Sequence, residues 1–365
     1  MMHARQAPTR EMATEDLVTW FGPEHPAVSG LRLQLTLDGE QVSAAEIELG
    51  YRHRGLEKLA ERGWEQAAAI ASQVDPRAPH AGAAAYARAV EALAKAELSG
   101  RAARLRVAIL ELERAASHLA WLANLARLLE ARPAARLAGH LYRRASTALA
   151  LLAGAPGAQR WIVPGGVAAD APADLLRALS GVLDALRGAL DGLRMDRLAE
   201  RRLNGLALVD GGRALEMGAA GPVLRATGVP HDLRTSSEVY RALGFEPVLG
   251  SGGDARARYS LHVAEVGQAL TLAQRALTDL PRGAVAEKVP AIGVAGLARG
   301  HAEGPRGELS ATVLTDGGER PLRVAFRGPS LAHAGLLSEL LVGSMLADVP
   351  LAVASLDLSM EEAER

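Results

Sequence analysis

Charged residues and a histidine crowd one short stretch, residues 50–58, which contains Arg52, His53, Arg54 and Glu57. An imidazole titrates near neutral pH, and a carboxylate beside guanidinium groups can have its pKa tuned over a wide range. These residue types within two helical turns could form a proton path or an anion site. The local alternative is a solvated helix start, with Glu57 near the positive end of the helix dipole.

Two other candidate groups have equally plain alternatives. His25 lies in a loop rich in glycine and proline, where a lone histidine is usually a surface residue. Glu111 and His118 are seven residues apart on a helical pattern and share one face of it. A buried carboxylate there would need a partner or a proton, whereas a solvated charge at the edge of the apolar stripe would need neither.

Composition excludes several classes of function. The chain has 365 residues with 41 Lys and Arg against 42 Asp and Glu, so bulk positive charge does not favour nucleic-acid binding. It contains no cysteine, which excludes disulfides, thiolate zinc sites, iron-sulfur ligation and thiol nucleophiles. Any metal site would need His, Asp or Glu ligands.

Two extended patterns frame a helical centre. Residues 31–37 alternate strictly and residues 41–48 continue after an Asp38-Gly39 turn, which predicts a β-hairpin. Residues 308–314 and 321–326 predict a second hairpin near the other end. Helical periodicity dominates between them and is longest over residues 101–131. We therefore expect an α+β fold that is mainly helical, with a central helix bundle and small antiparallel sheet elements near both ends of the chain.

No internal repeat, low-complexity tract or long linker divides the chain. We expect a single unit over residues 1–365, with an N-terminal hairpin region at 21–50, a helical core at 51–300 and a C-terminal hairpin, helix and tail at 301–365. By local pattern alone the acidic end of the chain is typical of a frayed tail. We find no apolar signal core in the first ten residues and no uncharged run long enough for a membrane span, so we expect a cytosolic protein or one held at a membrane by partners.

Short motifs follow one another in an order that resembles a known family. They are Gly22-Pro-Glu-His-Pro26, Gly50-Tyr-Arg-His-Arg-Gly-Leu-Glu-Lys58, Ala85-Tyr-Ala-Arg-Ala-Val-Glu91, Leu110-Glu-Leu-Glu-Arg-Ala-Ala-Ser-His-Leu119, Pro164-Gly-Gly-Val167, Gly221-Pro-Val-Leu-Arg-Ala-Thr-Gly228, Asp232-Leu-Arg234, Pro305-Arg-Gly-Glu308, Asp316-Gly-Gly318, Arg327-Gly-Pro-Ser330 and Ala354-Ser-Leu-Asp357. Nearly end to end, the chain resembles the large subunit of membrane-bound, energy-converting nickel-iron hydrogenases and the related D subunit of respiratory complex I. Pro164-Gly165-Gly166 and Glu113 are more similar to the hydrogenases, so the chain resembles a cysteine-free relative of them.

The resemblance implies where a nickel-iron centre would lie. In the hydrogenases two pairs of cysteines hold the metals, and thiolates are the ligands that such metals favour. The matching positions here are Asp75, Ala78, Ser359 and Glu362. Without thiolates we expect no nickel-iron site and no hydrogen activation by that chemistry.

The D subunit of complex I, which also lacks those cysteines, uses the vacated region to hold the head of a quinone. Its histidine and tyrosine that bind the quinone match Ser29 and Pro76, and the aspartate that supports the histidine matches Leu128. The arginine and histidine that face the partner's terminal iron-sulfur cluster match Gln73 and Ala158. The usual quinone-binding set is therefore absent, although His25, His53 or His80 could substitute for it.

We expect a component of a membrane-associated, ion-translocating redox complex that lies on the cytoplasmic side of the membrane. The resemblance implies a hetero-oligomer with a small iron-sulfur protein like the B subunit of complex I, a protein like its C subunit, and antiporter-like membrane subunits. No cofactor would be bound by this chain itself; an iron-sulfur cluster would lie in a partner, and a quinone is a possible acceptor. Glu57 is the expected proton carrier among the candidate working residues, which are His25, His53, Arg54, Glu57, Asp75, His118, Arg327 and Asp357.

Two alternatives remain open at this stage. The chain could be a catalytically inactive scaffold that holds partner subunits together, so whether it is itself an enzyme is left undecided. It could also be an independent enzyme with a hard metal ion bound by histidines and carboxylates.

Overall fold

A computed structural model of the chain describes residues 17–25, 30–154, 160–290 and 292–365. Three small antiparallel sheets lie near the ends and beside a core of helices in these ranges. The expected α+β architecture is confirmed. Among the described helices, none is both long enough and apolar enough to cross a bilayer.

The N-terminal sheet has strand order β1-β2-β3, with β1 at Leu17–Phe21, β2 at Arg32–Asp38 and β3 at Gln41–Glu48. Leu33, Leu35 and Leu37 of β2 are buried and alternate with half-buried residues, as the period of two predicts. The predicted hairpin is therefore confirmed. Strand β1 was not predicted; it adds to the outer edge of β2 and leaves most of its own side chains exposed.

The C-terminal sheet has strand order β6-β7-β8, with β6 at Ala295–Gly304, β7 at Gly307–Asp316 and β8 at Arg323–Arg327. Strands β7 and β8 are the predicted second hairpin. Strand β6 was not predicted, and it spans the border that we placed between residues 300 and 301. A third pair, β4 at Ile162–Val163 and β5 at Gly166–Val167, is only two residues long on each side.

The helices of the described ranges occupy most of the chain between and beyond the sheets. They are α1 Leu56–Ala60, α2 Trp64–Ala71, α3 Pro79–Ala94, α4 Gly100–Leu128, α5 Arg132–Ala153, α6 Ala173–Gly188, α7 Arg197–Leu203, α8 Gly211–Glu216, α9 Gly221–Arg225, α10 Glu238–Ala242, α11 Ala255–Leu277, α12 Ser330–Leu340, α13 Val349–Ala354 and α14 Met360–Ala363. Short 3-10 turns lie at Leu190–Leu193, Leu233–Ser236 and Leu346–Asp348.

Helix α4 forms the centre of the core. The Ser99 hydroxyl caps its start by accepting the Ala102 amide at 3.1 Å, which satisfies one of the free amides of the first turn. Most residues of α4 are buried all round the helix, because α5 packs on one side of it and α11 on another. A helix enclosed in this way must pair its charged residues internally, as Glu113 does with His80.

Four segments meet beside α4. They are the turn before α3, the turn between β6 and β7, the start of α12 and the C-terminal residues 355–365. The C-terminal residues are not a frayed tail, since Ser355, Asp357, Ser359 and Glu362 are all buried. The local pattern was wrong here because the partners of these polar groups lie on other segments of the chain, from Ser330 and Arg306 back to Asp75.

Candidate functional site

The four positions that match hydrogenase cysteines lie together, and we call them the cradle: Asp75, Ala78, Ser359 and Glu362. The Ser359 hydroxyl donates to Asp75 Oδ1 at 2.9 Å and joins the two halves. The Ala78 amide donates to the Asp75 carbonyl at 2.9 Å, and the Glu362 amide to the Ser359 carbonyl at 3.1 Å. All four residues are at most 2% exposed. None offers sulfur, so the cradle does not fit a thiolate-bound nickel-iron centre.

Arg306 is the residue that our sequence reasoning missed. It projects from the turn between β6 and β7, is 3% exposed, and forms an ion pair with Asp75 Oδ2. Its Nε donates to the Asp357 carbonyl at 2.9 Å and lies 3.5 Å from Asp357 Oδ2. Burial alone would lower the pKa of Arg306, but the Asp357 and Asp75 carboxylates outweigh burial and raise it. The feature of the sequence that could have identified Arg306 was its place in the motif Pro305-Arg306-Gly307-Glu308.

Asp357 and Arg77 close one side of the cradle. Arg77 Nη1 donates to Asp357 Oδ1 at 3.1 Å, and the other Arg77 amino group donates to the Leu358 carbonyl. Asp357 is buried and adopts a left-handed backbone conformation with φ of 49°. Two arginines therefore face Asp357, one buried and one exposed.

Glu362, the last residue of the cradle, contacts the start of α12. Its Oε1 accepts the backbone amide of Ser330, at the start of α12, at 2.8 Å. A Cβ added to Gly328 would lie only 2.3 Å from the Glu362 carboxyl carbon, so glycine is what allows this carboxylate to enter. Burial and the nearby Asp75 raise the pKa of Glu362 to about 7, against the opposing influence of Arg306 and of hydrogen bonds from Ser330.

The stretch at residues 50–58 lies half-buried on the surface and holds the end of the chain. The Gly50 amide donates to Glu364 Oε1 at 2.7 Å, and His53 Nδ1 is 2.8 Å from the Glu364 carbonyl. Arg54 donates to the carbonyls of Val74 and Glu361, and burial lowers its pKa. These contacts place His53 and Arg54 at the outer wall of the cradle.

Glu57 is bound on three sides. It forms an ion pair with Arg323, accepts the Phe326 amide at 3.0 Å and lies 3.3 Å from Arg365 Nε. Its side chain is 18% exposed. The structure therefore brings Glu57 between strand β8 and the last residue of the chain.

His80 and Glu113 form a buried pair next to the cradle. Glu113 accepts the amides of His80 and Ala81 at 2.8 and 3.0 Å, which satisfies free amides at the start of α3. The same carboxylate lies 2.7 Å from His80 Nδ1. His80 Nε2 is buried and has no hydrogen-bond partner among the described residues.

His118 belongs to a separate buried network. Its Nε2 is 2.9 Å from Glu265, whose other oxygen accepts from Arg225 at 2.9 Å. Burial lowers the pKa of His118, although the bond to Glu265 opposes this shift. Glu111 lies in the same interior, where Arg234 pairs with it at 3.1 Å. Both α4 side chains are therefore paired groups of the core and not solvated edge charges.

The remaining predicted residues lie elsewhere. Arg327 is exposed and lines a surface pocket of about 310 Å³ together with His301 and Glu308. His25 packs edge-on against Phe21, with 5.4 Å between the ring centroids. The structure thus brings Asp75 and Asp357 together at the cradle, with His53 and Arg54 against the C-terminal segment beside it. It places Glu57 between strand β8 and Arg365, and His25, His118 and Arg327 in other surroundings.

The positions that match quinone- and cluster-facing residues of complex I are only partly described. Ser29 and Ala158 lie outside the described residues. Pro76 is exposed, Leu128 is half-buried, and the Gln73 carbonyl accepts from Arg54 at 2.9 Å. Within the described ranges, no group of three or more His, Asp or Glu side chains is arranged to hold a metal ion.

Comparison with known proteins places the chain in a family. Residues 144–300 and 294–365 match the family model described as respiratory-chain NADH dehydrogenase, 49 kDa subunit. The D subunit of NADH-quinone oxidoreductase from Desulforamulus reducens is 33% identical over 96% of this chain and 99% of its own length. The same protein from Clostridium beijerinckii is 30% identical over 98% and 99%.

A solved structure is similar over the same extent. A chain in the structure of the membrane-bound sulfane sulfur reductase, an archaeal respiratory membrane complex, has 33% sequence identity and a TM-score of 0.91. The match covers 97% of this chain and 100% of that one. The chain belongs to the family of the 49 kDa subunit of respiratory-chain NADH dehydrogenase, which includes the D subunits of NADH-quinone oxidoreductases.

Proposed function

We propose that this chain is a component of a membrane-associated respiratory redox complex related to complex I. End-to-end similarity to the D subunits of NADH-quinone oxidoreductases and to a chain of an archaeal respiratory membrane complex supports this proposal. The chain would lie peripherally on the cytoplasmic side of the membrane. Its partners would be a small iron-sulfur protein like the B subunit of complex I, a protein like its C subunit, and antiporter-like membrane subunits.

The observation that carries the proposal is the replacement of metal ligands by an ion-paired cluster. Arg306 joins Asp75 to Asp357, and Ser359 donates to Asp75, where the hydrogenases place cysteines. The chain would therefore not split hydrogen at a nickel-iron site. Electrons would pass through an iron-sulfur cluster of the partner to an acceptor, with a quinone as one candidate, and this chain would couple that transfer to proton or ion movement.

The working residues under this proposal form two groups. Asp75 and Asp357 hold buried charge at the cradle, while His53, Arg54 and Glu57 contact the C-terminal segment beside it. His25, His118 and Arg327 complete the proposed set at other positions. Glu57 is the proposed proton carrier, since a half-buried carboxylate between Arg323 and Arg365 can exchange partners as charge changes nearby.

The matched pair Glu57→Gln and Glu61→Gln tests this role in the assembled complex. Both carboxylates pair with Arg323 and their side chains are 18% and 16% exposed, but only Glu57 contacts Arg365 at the C-terminus. We expect Glu57→Gln to lower coupled turnover by about a hundredfold or more, the usual contribution of a proton-transfer group. Glu61→Gln should retain it. Unchanged turnover and proton movement in Glu57→Gln would eliminate the role.

A catalytically inactive scaffold is the second candidate. The cradle residues bind one another, as in the Ser359 to Asp75 hydrogen bond, and this closed arrangement favours a purely structural role. Replacing Arg52, His53, Arg54 and Glu57 by alanine separates the two possibilities. Retained activity in a complex that still assembles would favour the scaffold.

A further inference from the structure

Three carboxylates are buried in the cradle region, and among the described residues only two of them form ion pairs with arginine. We call the three carboxylates Asp75, Asp357 and Glu362 the acid cluster. Each is at most 5% exposed. Arg306 pairs with both aspartates, and Arg77 pairs with Asp357. Arg306 is buried with the three acids, whereas Arg77 reaches Asp357 from the exposed side and Arg54 interacts with Asp75 from outside the cluster.

Glu362 is the acid that lacks a positive partner. Within the described residues neither Arg306 nor Arg77 forms an ion pair with it, and the hydrogen bonds that it accepts from another element come from Ser330. Neutral donors such as those of Ser330 stabilise a buried carboxylate less than a bidentate guanidinium does. An isolated buried charge is costly, so such a group is expected to bind a proton instead.

Four elements of the structure surround the Glu362 carboxylate, and burial and Asp75 favour its protonation while Arg306 and Ser330 oppose it. The turn before α3 contributes negative Asp75, while the turn between β6 and β7 contributes positive Arg306, which Asp75 and Asp357 already engage. Helix α12 contributes Ser330, and the segment that carries Glu362 contributes Asp357 and Ser359. The resulting pKa of about 7 lies where a small change in local charge alters the bound proton.

We propose that Glu362 is a proton-binding site of this protein, which takes up one proton from solvent onto its buried carboxylate and releases it when the negative charge beside it diminishes. The proposal deepens the proposed function, because a proton held next to the former metal position can respond to electrons that arrive in the partner. The step itself needs no oxidant or reductant, since only a proton moves between solvent and the carboxylate.

Infrared spectroscopy of the purified complex under a pH titration tests the proposal at equilibrium. The protonated carboxyl group of a buried glutamic acid gives a carbonyl band that disappears on ionisation, and glutamate labelled at its carboxyl carbon assigns the band without any substitution. We expect a labelled band with a midpoint near pH 7 in the wild-type protein. The band should vanish in Glu362→Gln and persist in Glu361→Gln, whose substituted side chain is half-exposed on the same turn.

Two results would overturn the proposal. One is a wild-type protein with no labelled glutamic acid band titrating above about pH 5, since exposed glutamates titrate near 4.3. The other is an unchanged band in Glu362→Gln. The titration requires no electron donor, and it can be repeated on the chain if it purifies without partners. Isolation of a partner-free chain would contradict the proposed function while leaving the Glu362 result intact.

Discussion

At the scale of single residues, the charge of Arg306 holds the cradle together. Asp75 accepts from Arg306 and Ser359, and both Asp75 and Arg306 are almost fully buried. A buried ion pair contributes little net stability when both partners are present, because desolvation offsets the attraction. Removing one partner is different, since the other charge then remains buried and uncompensated.

Asp75→Asn tests this electrostatic role. We expect the free energy of unfolding to fall by about 3–5 kcal/mol, the usual result of breaking a buried ion pair from one side. Asp191→Asn is the control, because Asp191 is 91% exposed and its ion-pair partner among the described residues is the exposed Arg194 at 3.3 Å. Its effect should stay within about 0.5 kcal/mol. Denaturant unfolding measures both, and equal small effects would show that Asp75 is not needed to compensate Arg306.

Residue types alone did not identify the cradle. The resemblance aligned Asp75, Ser359 and Glu362 with metal ligands and so predicted that they would meet. Arg306 stood in a quoted motif, but an arginine before a glycine in a turn is usually solvated, and nothing local indicated burial. The burial of Glu362 was equally unpredictable from its neighbours, since an acidic stretch gives no sign of its partners Ser330 and Asp75.

At the scale of elements, hydrophobic periodicity predicted those strands and helices whose position depends on a regular buried face. The alternating leucines predicted β2, and the apolar stripe of residues 101–131 predicted α4 at Gly100–Leu128. Strand β6 has no such alternation, because its position depends on contact with the backbone of α3. A Cβ added to Gly300 would lie 2.1 Å from the Ala85 carbonyl oxygen and 2.4 Å from the Ala89 nitrogen.

Gly300→Ala should therefore push β6 away from α3. Backbone atoms cannot move aside as a flexible side chain can, so we expect a loss of about 2 kcal/mol or more in the free energy of unfolding. Gly181→Ala is the matched control, because Gly181 lies in α6 and a Cβ there meets nothing within 4 Å. It should stabilise the protein by up to about 1 kcal/mol through helix propensity. Thermal unfolding of both variants provides the comparison, and a neutral Gly300→Ala would contradict the close packing.

At the scale of the whole molecule, residues 50–75 and the C-terminal segment are bound together around the cradle. Glu364 accepts from Gly50, Arg365 contacts Glu57, and Ser359 contacts Asp75. Such pairings between distant residues cannot be read from periodicity. The local sequence of residues 50–58 was compatible with either a working site or a solvated helix start. In the structure these residues bind the C-terminal segment.

The central claim is that this chain serves a respiratory membrane complex without a nickel-iron site of its own. The most direct test is to isolate the complex from membranes through a tag on this chain, identify its subunits and quantify iron and nickel per chain. We predict iron that accompanies a small iron-sulfur subunit, antiporter-like membrane subunits, and no stoichiometric nickel. One nickel per chain, or a soluble chain that purifies alone, would contradict the account.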